Sequence, residues 1–149
     1  MSLKELLKEQ ITGLQHVGHI VASLDDAIAS FERIYGVSDQ DIRRLPKDPE
    51  APTLFAFVTV ADAEFELIQP QSEQARAELF ASASGGGGIN HVAWRVRDLG
   101  ACVSLLAARG IHPGHVTPDG IVEFGNRKMV YLDPVDCDGL LVELIEIND

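Results

Sequence analysis

The sequence predicts an α+β protein built from one strand-and-helix unit used twice, and three observations carry that expectation. A nine-residue frame, GLQHVGHIV at 13–21, returns as GINHVAWRV at 88–96. A second frame, FELI at 65–68, returns as VELI at 142–145. Between the two frames of each half, strand-like alternation gives way to helical spacing and then to further alternating runs, the order expected of a duplicated supersecondary unit.

The elements follow in turn. Lys4 to Ile11 places Leu6, Leu7 and Ile11 at helical spacing and predicts a short, peripheral amphipathic helix. Leu14 to Val21 alternates as a strand. Ser23 is an N-cap candidate, Asp25 and Asp26 fill a first helical turn, and Gly36 ends that helix. Asp39 to Pro52 is polar, carries Arg43, Arg44 and Lys47, and reads as a loop, with room for one more strand in this half. Strands are expected at 53–60 and 63–69 about an Ala61-Asp62 turn. Ser72 to Ala81 reads as a linking helix and Ser82 to Gly88 as a glycine-rich linker.

The pattern then restarts. Ile89 to Val96 is a strand, Asp98 caps a helix that runs to about Arg109, and Gly110 stops it. Strands are expected at 121–124, 127–132 and 140–147. The whole chain, 1–149, is thus expected to be a single domain, with one module over about 13–70 and a second over about 88–147.

Composition narrows the function. A net charge of -11 leaves no basic excess to displace the counterions of a phosphate backbone, which argues against nucleic acid and against anionic membrane surfaces. No apolar run approaches the ~20 residues of a membrane span, and MSLKELLKEQ is charged where a secretory leader is apolar. A cytoplasmic protein is expected. Cys102 and Cys137 lack metal-site spacing and are read as free thiols.

Both histidines and both glutamates recur, His16 with His91 at an offset of 75 and Glu66 with Glu143 at an offset of 77. Side chains two apart share a strand face, so His91 goes with Ile89 and Ala93, leaving Val92, Trp94 and Val96 for the helix layer. By the same parity Glu66 and Glu143 point away from Phe65 and Leu67, and from Val142 and Leu144. All four polar groups can converge on one concave surface. Imidazoles and carboxylates are costly to bury unless paired or coordinated, so the set favours a divalent cation. Zinc, nickel, cobalt, manganese and iron all suit nitrogen and oxygen donors. The competing reading is two hydrogen-bonded His-Glu pairs that record an ancestral duplication.

At LQHVGHIV, FELIQP, GGGINHVAWRV, GNRKMVYLDP and GLLVELIEI the chain resembles the vicinal oxygen chelate (glyoxalase/bleomycin resistance/dioxygenase) superfamily, over about residues 13–147 and most of all its methylmalonyl-CoA epimerase branch. That resemblance implies a glyoxalase-like fold of two βαβββ modules whose curved sheets form a metal-binding cup, and a homodimer. It implies one divalent metal held by His16, Glu66, His91 and Glu143, with Glu143 also moving protons. The implied activity is metal-dependent epimerisation of a small acyl-CoA through its enolate. The alternatives are a lactoylglutathione lyase acting on a glutathione adduct and a non-catalytic small-molecule-binding module. Characterised epimerases carry a partner carboxylate on the strand that opens the second hairpin of the first half. Here TLFAFVTV at 53–60 has no acid, Leu54 or Phe55 stands near that place, and Asp48 or Glu50 could substitute only from an inward-folded loop.

His19 falls on the opposite strand face from His16 and is expected to be structural, while His112 and His115 sit in a solvated loop. Arg43, Arg44, Lys47, Arg95, Arg97, Arg127 and Lys128 are the cations from which a local positive patch for an anionic substrate would be drawn.

Overall fold

The computed structural model describes residues 3–82 and 88–149 of the chain, so the expected linker lies largely outside the described residues. Among the described residues, twelve α-helices and strands succeed one another: α1 (Leu3–Gln10), β1 (Ile11–Ile20), α2 (Leu24–Tyr35), β2 (Ile42–Leu45), β3 (Thr53–Val60), β4 (Ala63–Pro70), α3 (Glu73–Ser82), β5 (Gly88–Val96), α4 (Leu99–Ala107), β6 (Val122–Phe124), β7 (Arg127–Tyr131) and β8 (Val142–Ile147). From β1 to β4, and again from β5 to β8, the order is βαβββ. The fold is α+β. No helix among the described residues is long and apolar enough to cross a membrane.

Two compact units divide the chain, one of His16–Asn90 and one of Met1–Gln15 with His91–Asp149. In the first, the strands lie in the order β2-β3-β4-β1, with β1 parallel to β4 and the remaining pairs antiparallel. Helix α2 begins where Ser23 Oγ accepts from the Asp26 amide, and it ends at Gly36, whose φ of +71° is the left-handed conformation that glycine adopts at little cost. Its Leu24, Ile28 and Phe31, at helical spacing, bury against Ala56, Val58 and Leu67 of the sheet.

The other unit repeats the arrangement with β5-β8-β7-β6, again parallel only between its first two strands. Asp98 Oδ1 accepts from the Ala101 amide to start α4, and Leu99 and Cys102 pack with Val96, Val130, Leu132 and Leu144.

Four expectations need correction. The polar segment 39–52 is not all loop: a short 3-10 turn at Asp39–Asp41 leads into β2, an edge strand with only Ile42 half-buried and its remaining residues exposed. Its two arginines hid it, because an edge strand tolerates charge on positions that a central strand would bury. Helix α1 is less peripheral than its composition suggests, since Gln10 Oε1 accepts from the Asp98 amide and the Glu9 and Gln10 carbonyls accept from Arg97. Trp94 does not join the helix-side core and is 36% exposed, leaving Val96 to fill that place. Helix α4 stops at Ala107, before Arg109.

Candidate functional site

Strand register lays out the polar face of the His16–Asn90 unit. His16 stands opposite Glu64 and Gly18 opposite Glu66, while β3 sets Phe57 opposite Glu66 and β2 sets Arg43 opposite Phe57. Residues paired across strands project to one side of a sheet, as do residues two apart on one strand. His16, Gly18, Arg43, Phe57, Glu64 and Glu66 therefore share a face, with Val58, Phe65 and Leu67 turned to α2 on the other.

On this face His16 Nε2 lies 2.9 Å from Glu66 Oε2. Phe57 meets the imidazole edge-on, with ring centres 5.9 Å apart and planes at 89°. The Arg43 guanidinium lies over the Phe57 ring at 5.0 Å and reaches Glu64 at 3.3 Å.

The second unit repeats the His-Glu pair and its aromatic neighbour. Ala93 and Tyr131 flank Glu143 in register, on β5 and β7, and His91 Nε2 lies 3.2 Å from Glu143 Oε2. His91 is 2% exposed and Glu143 1%. Tyr131 meets His91 edge-on at 5.2 Å and 80°, and its hydroxyl is 3.5 Å from Nε2.

Each unit thus sets one buried imidazole nitrogen against one carboxylate oxygen, with Glu143 buried and Glu66 partly buried. Burial makes both groups depend on a partner: either they share a proton in a charge-assisted hydrogen bond, or a cation takes that proton's place. Nitrogen with carboxylate oxygen is a donor set that borderline divalent cations accept. The residues present fit such an ion.

The remaining sequence candidates take other places. His19 pairs in register with Leu67, the helix-side neighbour of Glu66. Asp48 and Glu50 are exposed, and Asp48 Oδ1 accepts from the Glu50 amide within their own turn. His112 and His115 are exposed. Most of the expected cations are met by acids: Arg43 by Glu64, Arg44 by Asp25, Arg95 by Asp149 and Lys128 by Glu123. Both cysteines are free, and burial, reinforced by Asp98 and Glu146, pushes the Cys102 thiol up to about 11. Cys137 is also raised, first by burial and then by the acids Asp136, Asp133 and Asp138.

The two aromatic partners, Phe57 and Tyr131, escape a reading from sequence. Both sit in apolar runs, FAF and VYL, that any buried strand could carry, and only register shows that each lies opposite a glutamate.

The glyoxalase/bleomycin resistance protein/dioxygenase superfamily matches residues 15–131. Among curated proteins, human mitochondrial methylmalonyl-CoA epimerase is 27% identical over 143 residues, covering 91% of this chain and 78% of its own length. The ethylmalonyl-CoA/methylmalonyl-CoA epimerase of Cereibacter sphaeroides is 26% identical over 136 residues, covering 90% and 97%. The crystal structure of methylmalonyl-CoA epimerase from Mycobacterium tuberculosis superposes with a TM-score of 0.74 at 26% identity, covering 95% of this chain and 91% of that one.

Proposed function

This chain belongs to the glyoxalase/bleomycin resistance protein/dioxygenase superfamily, and we propose that it is a metal-dependent epimerase of a small 2-substituted acyl-CoA, methylmalonyl-CoA being the first candidate. The observation that carries the reading is the duplicated His-Glu pair on a sheet face of each unit, with His16, His91 and Glu143 buried and Glu66 partly so. The epimerase names of its relatives support the choice of substrate.

In this reading His16, Glu66, His91 and Glu143 together hold one divalent cation. When bound, the cation supplies Lewis acidity that lowers the cost of negative charge on a carbonyl oxygen. The chain's residues do the rest. Glu143 removes the proton at C2, water returns a proton to the other face of that carbon because β3 places no acid there, and Glu143 then yields its proton to solvent. His16 and His91 offer Nε2 as ligand atoms, and the near-perpendicular contacts with Phe57 and Tyr131 hold the two imidazoles in orientation.

The test is deuterium incorporation at C2 of methylmalonyl-CoA in heavy water, comparing metal-reconstituted protein, metal-free protein and Glu143→Gln. Exchange confined to the reconstituted wild type is expected. Exchange that persists without metal, or no exchange with zinc, cobalt, nickel or manganese, would overturn the reading.

One observation favours a second reading. Strand β3 offers Phe55, Phe57 and Thr59 to the face that carries Glu66, and none is a carboxylate. An isomerase that uses a single carboxylate, as a lactoylglutathione lyase acting on a hemithioacetal can, needs no base from that strand. The same protein assayed with methylglyoxal and glutathione separates the two.

A further inference from the structure

The two units share the arrangement of histidine, glutamate and aromatic ring, and the two rings differ by one hydroxyl. Phe57 and Tyr131 occupy equivalent positions: each lies opposite its glutamate in register, on the antiparallel neighbour of the strand that bears it. Each meets its histidine with the two ring planes nearly perpendicular. Only Tyr131 carries a hydroxyl, which stands 3.5 Å from the His91 Nε2 that faces Glu143.

We propose that the Tyr131 hydroxyl is a hydrogen-bond donor to the substrate oxygen on which negative charge develops. The proposal rests on the epimerase reading for its substrate, and its geometry stands on Tyr131, His91 and Glu143. A phenol hydroxyl is a hydrogen-bond donor that Phe57 lacks. Its ring is anchored by the histidine, and its backbone is tied on both sides by Thr117, whose Oγ1 accepts from the Tyr131 amide at 2.9 Å and donates to the Tyr131 carbonyl at 3.2 Å. A donor held in place before reaction stabilises developing charge without reorganising, which is where such groups act most strongly.

Three consequences separate this role from mere support of His91. Tyr131→Phe gives the second unit the same aromatic side chain that the first has at Phe57, so the variant keeps the packing. If the hydroxyl touches the reacting oxygen, kcat for C2 proton exchange with methylmalonyl-CoA falls about 100-fold or more while KM moves by less than about 3-fold. Zinc affinity stays within about 3-fold of wild type, because loss of a group that only positions a ligand would weaken it by roughly 10-fold or more. Oxalate, a planar dianion that resembles an enolate, binds the zinc-loaded variant at least about 10-fold more weakly by calorimetry.

Unchanged kcat in the variant overturns the proposal, and so does a fall in kcat matched by a fall in zinc affinity. Equal oxalate affinity for the two zinc-loaded proteins, including no binding to either, overturns it as well. Wild-type protein that exchanges no deuterium into methylmalonyl-CoA would defeat the epimerase reading alone, and the oxalate comparison would then decide Tyr131 by itself.

Discussion

Glu143 stands directly opposite Ala93 in the parallel pairing of β5 with β8, yet its carboxylate meets His91, two residues earlier on that strand. The first unit repeats the diagonal, with Glu66 opposite Gly18 and bonded to His16. A small residue opposite each glutamate leaves the imidazole room to lean across the strand gap. The Gly-for-Ala exchange between the two repeated frames preserves that room.

Ala93 has no exposed surface, so Ala93→Val should crowd the diagonal. Overpacking of this kind costs about 1–3 kcal/mol. The urea midpoint should fall at unchanged slope, and zinc affinity should fall with it. A variant of wild-type stability and full zinc affinity would show that the small residue has no role in the pairing.

A single shared cation makes a quantitative demand. Zinc titration should saturate at one ion per chain, and His16→Ala and His91→Ala should each abolish tight binding rather than halve the stoichiometry. At 100-fold excess over Kd the ion should add about 2.7 kcal/mol of stability, lost on chelation. Two independent ions per chain would refute the four-ligand arrangement.

Gly114 bears on the strand that presents Tyr131. Its amide donates to the Tyr131 carbonyl at 3.0 Å, and a Cβ built on it would meet the Asp133 Cα at 2.6 Å and the Asp133 amide nitrogen at 3.0 Å. Backbone cannot give way as a flexible side chain can. Gly114→Ala should therefore cost about 1–3 kcal/mol in urea unfolding, whereas Gly13→Ala, with nothing within 4 Å of the added carbon, should stay within about 0.5 kcal/mol.

Cys102 predicts a pH dependence. Its folded-state pKa, raised from 9.0 to about 11 by burial and then by Asp98 and Glu146, means that the native state keeps a proton the unfolded chain would lose. That stabilisation is complete below pH 9 and is lost as pH rises toward 11. Cys102→Ala should flatten the decline in stability measured over that interval. At pH 8 a thiol reagent should modify the native Cys102 far more slowly than the unfolded one.

The sequence by itself determined the repeated plan and the strand faces. Alternation is a local property, so it tells which residues go with His16 or Glu66, and capping residues such as Ser23 and Asp98 mark their helices because the cap bond closes within three residues. Interactions between distant segments were beyond its reach. Strand β2 exists because it pairs with β3, although IRRL read alone is polar. Trp94 fits the helix-side parity, yet the buried cluster on that side is made by Val96, Val130 and their neighbours without it, and the residue stays 36% exposed. Tyr131 lies 40 residues from His91 in the chain, and only the register of β7 on β8 and of β8 on β5 brings its hydroxyl to that imidazole. Periodicity selects a face; tertiary pairing selects which atoms on that face meet, because a shift of register changes every cross-strand neighbour.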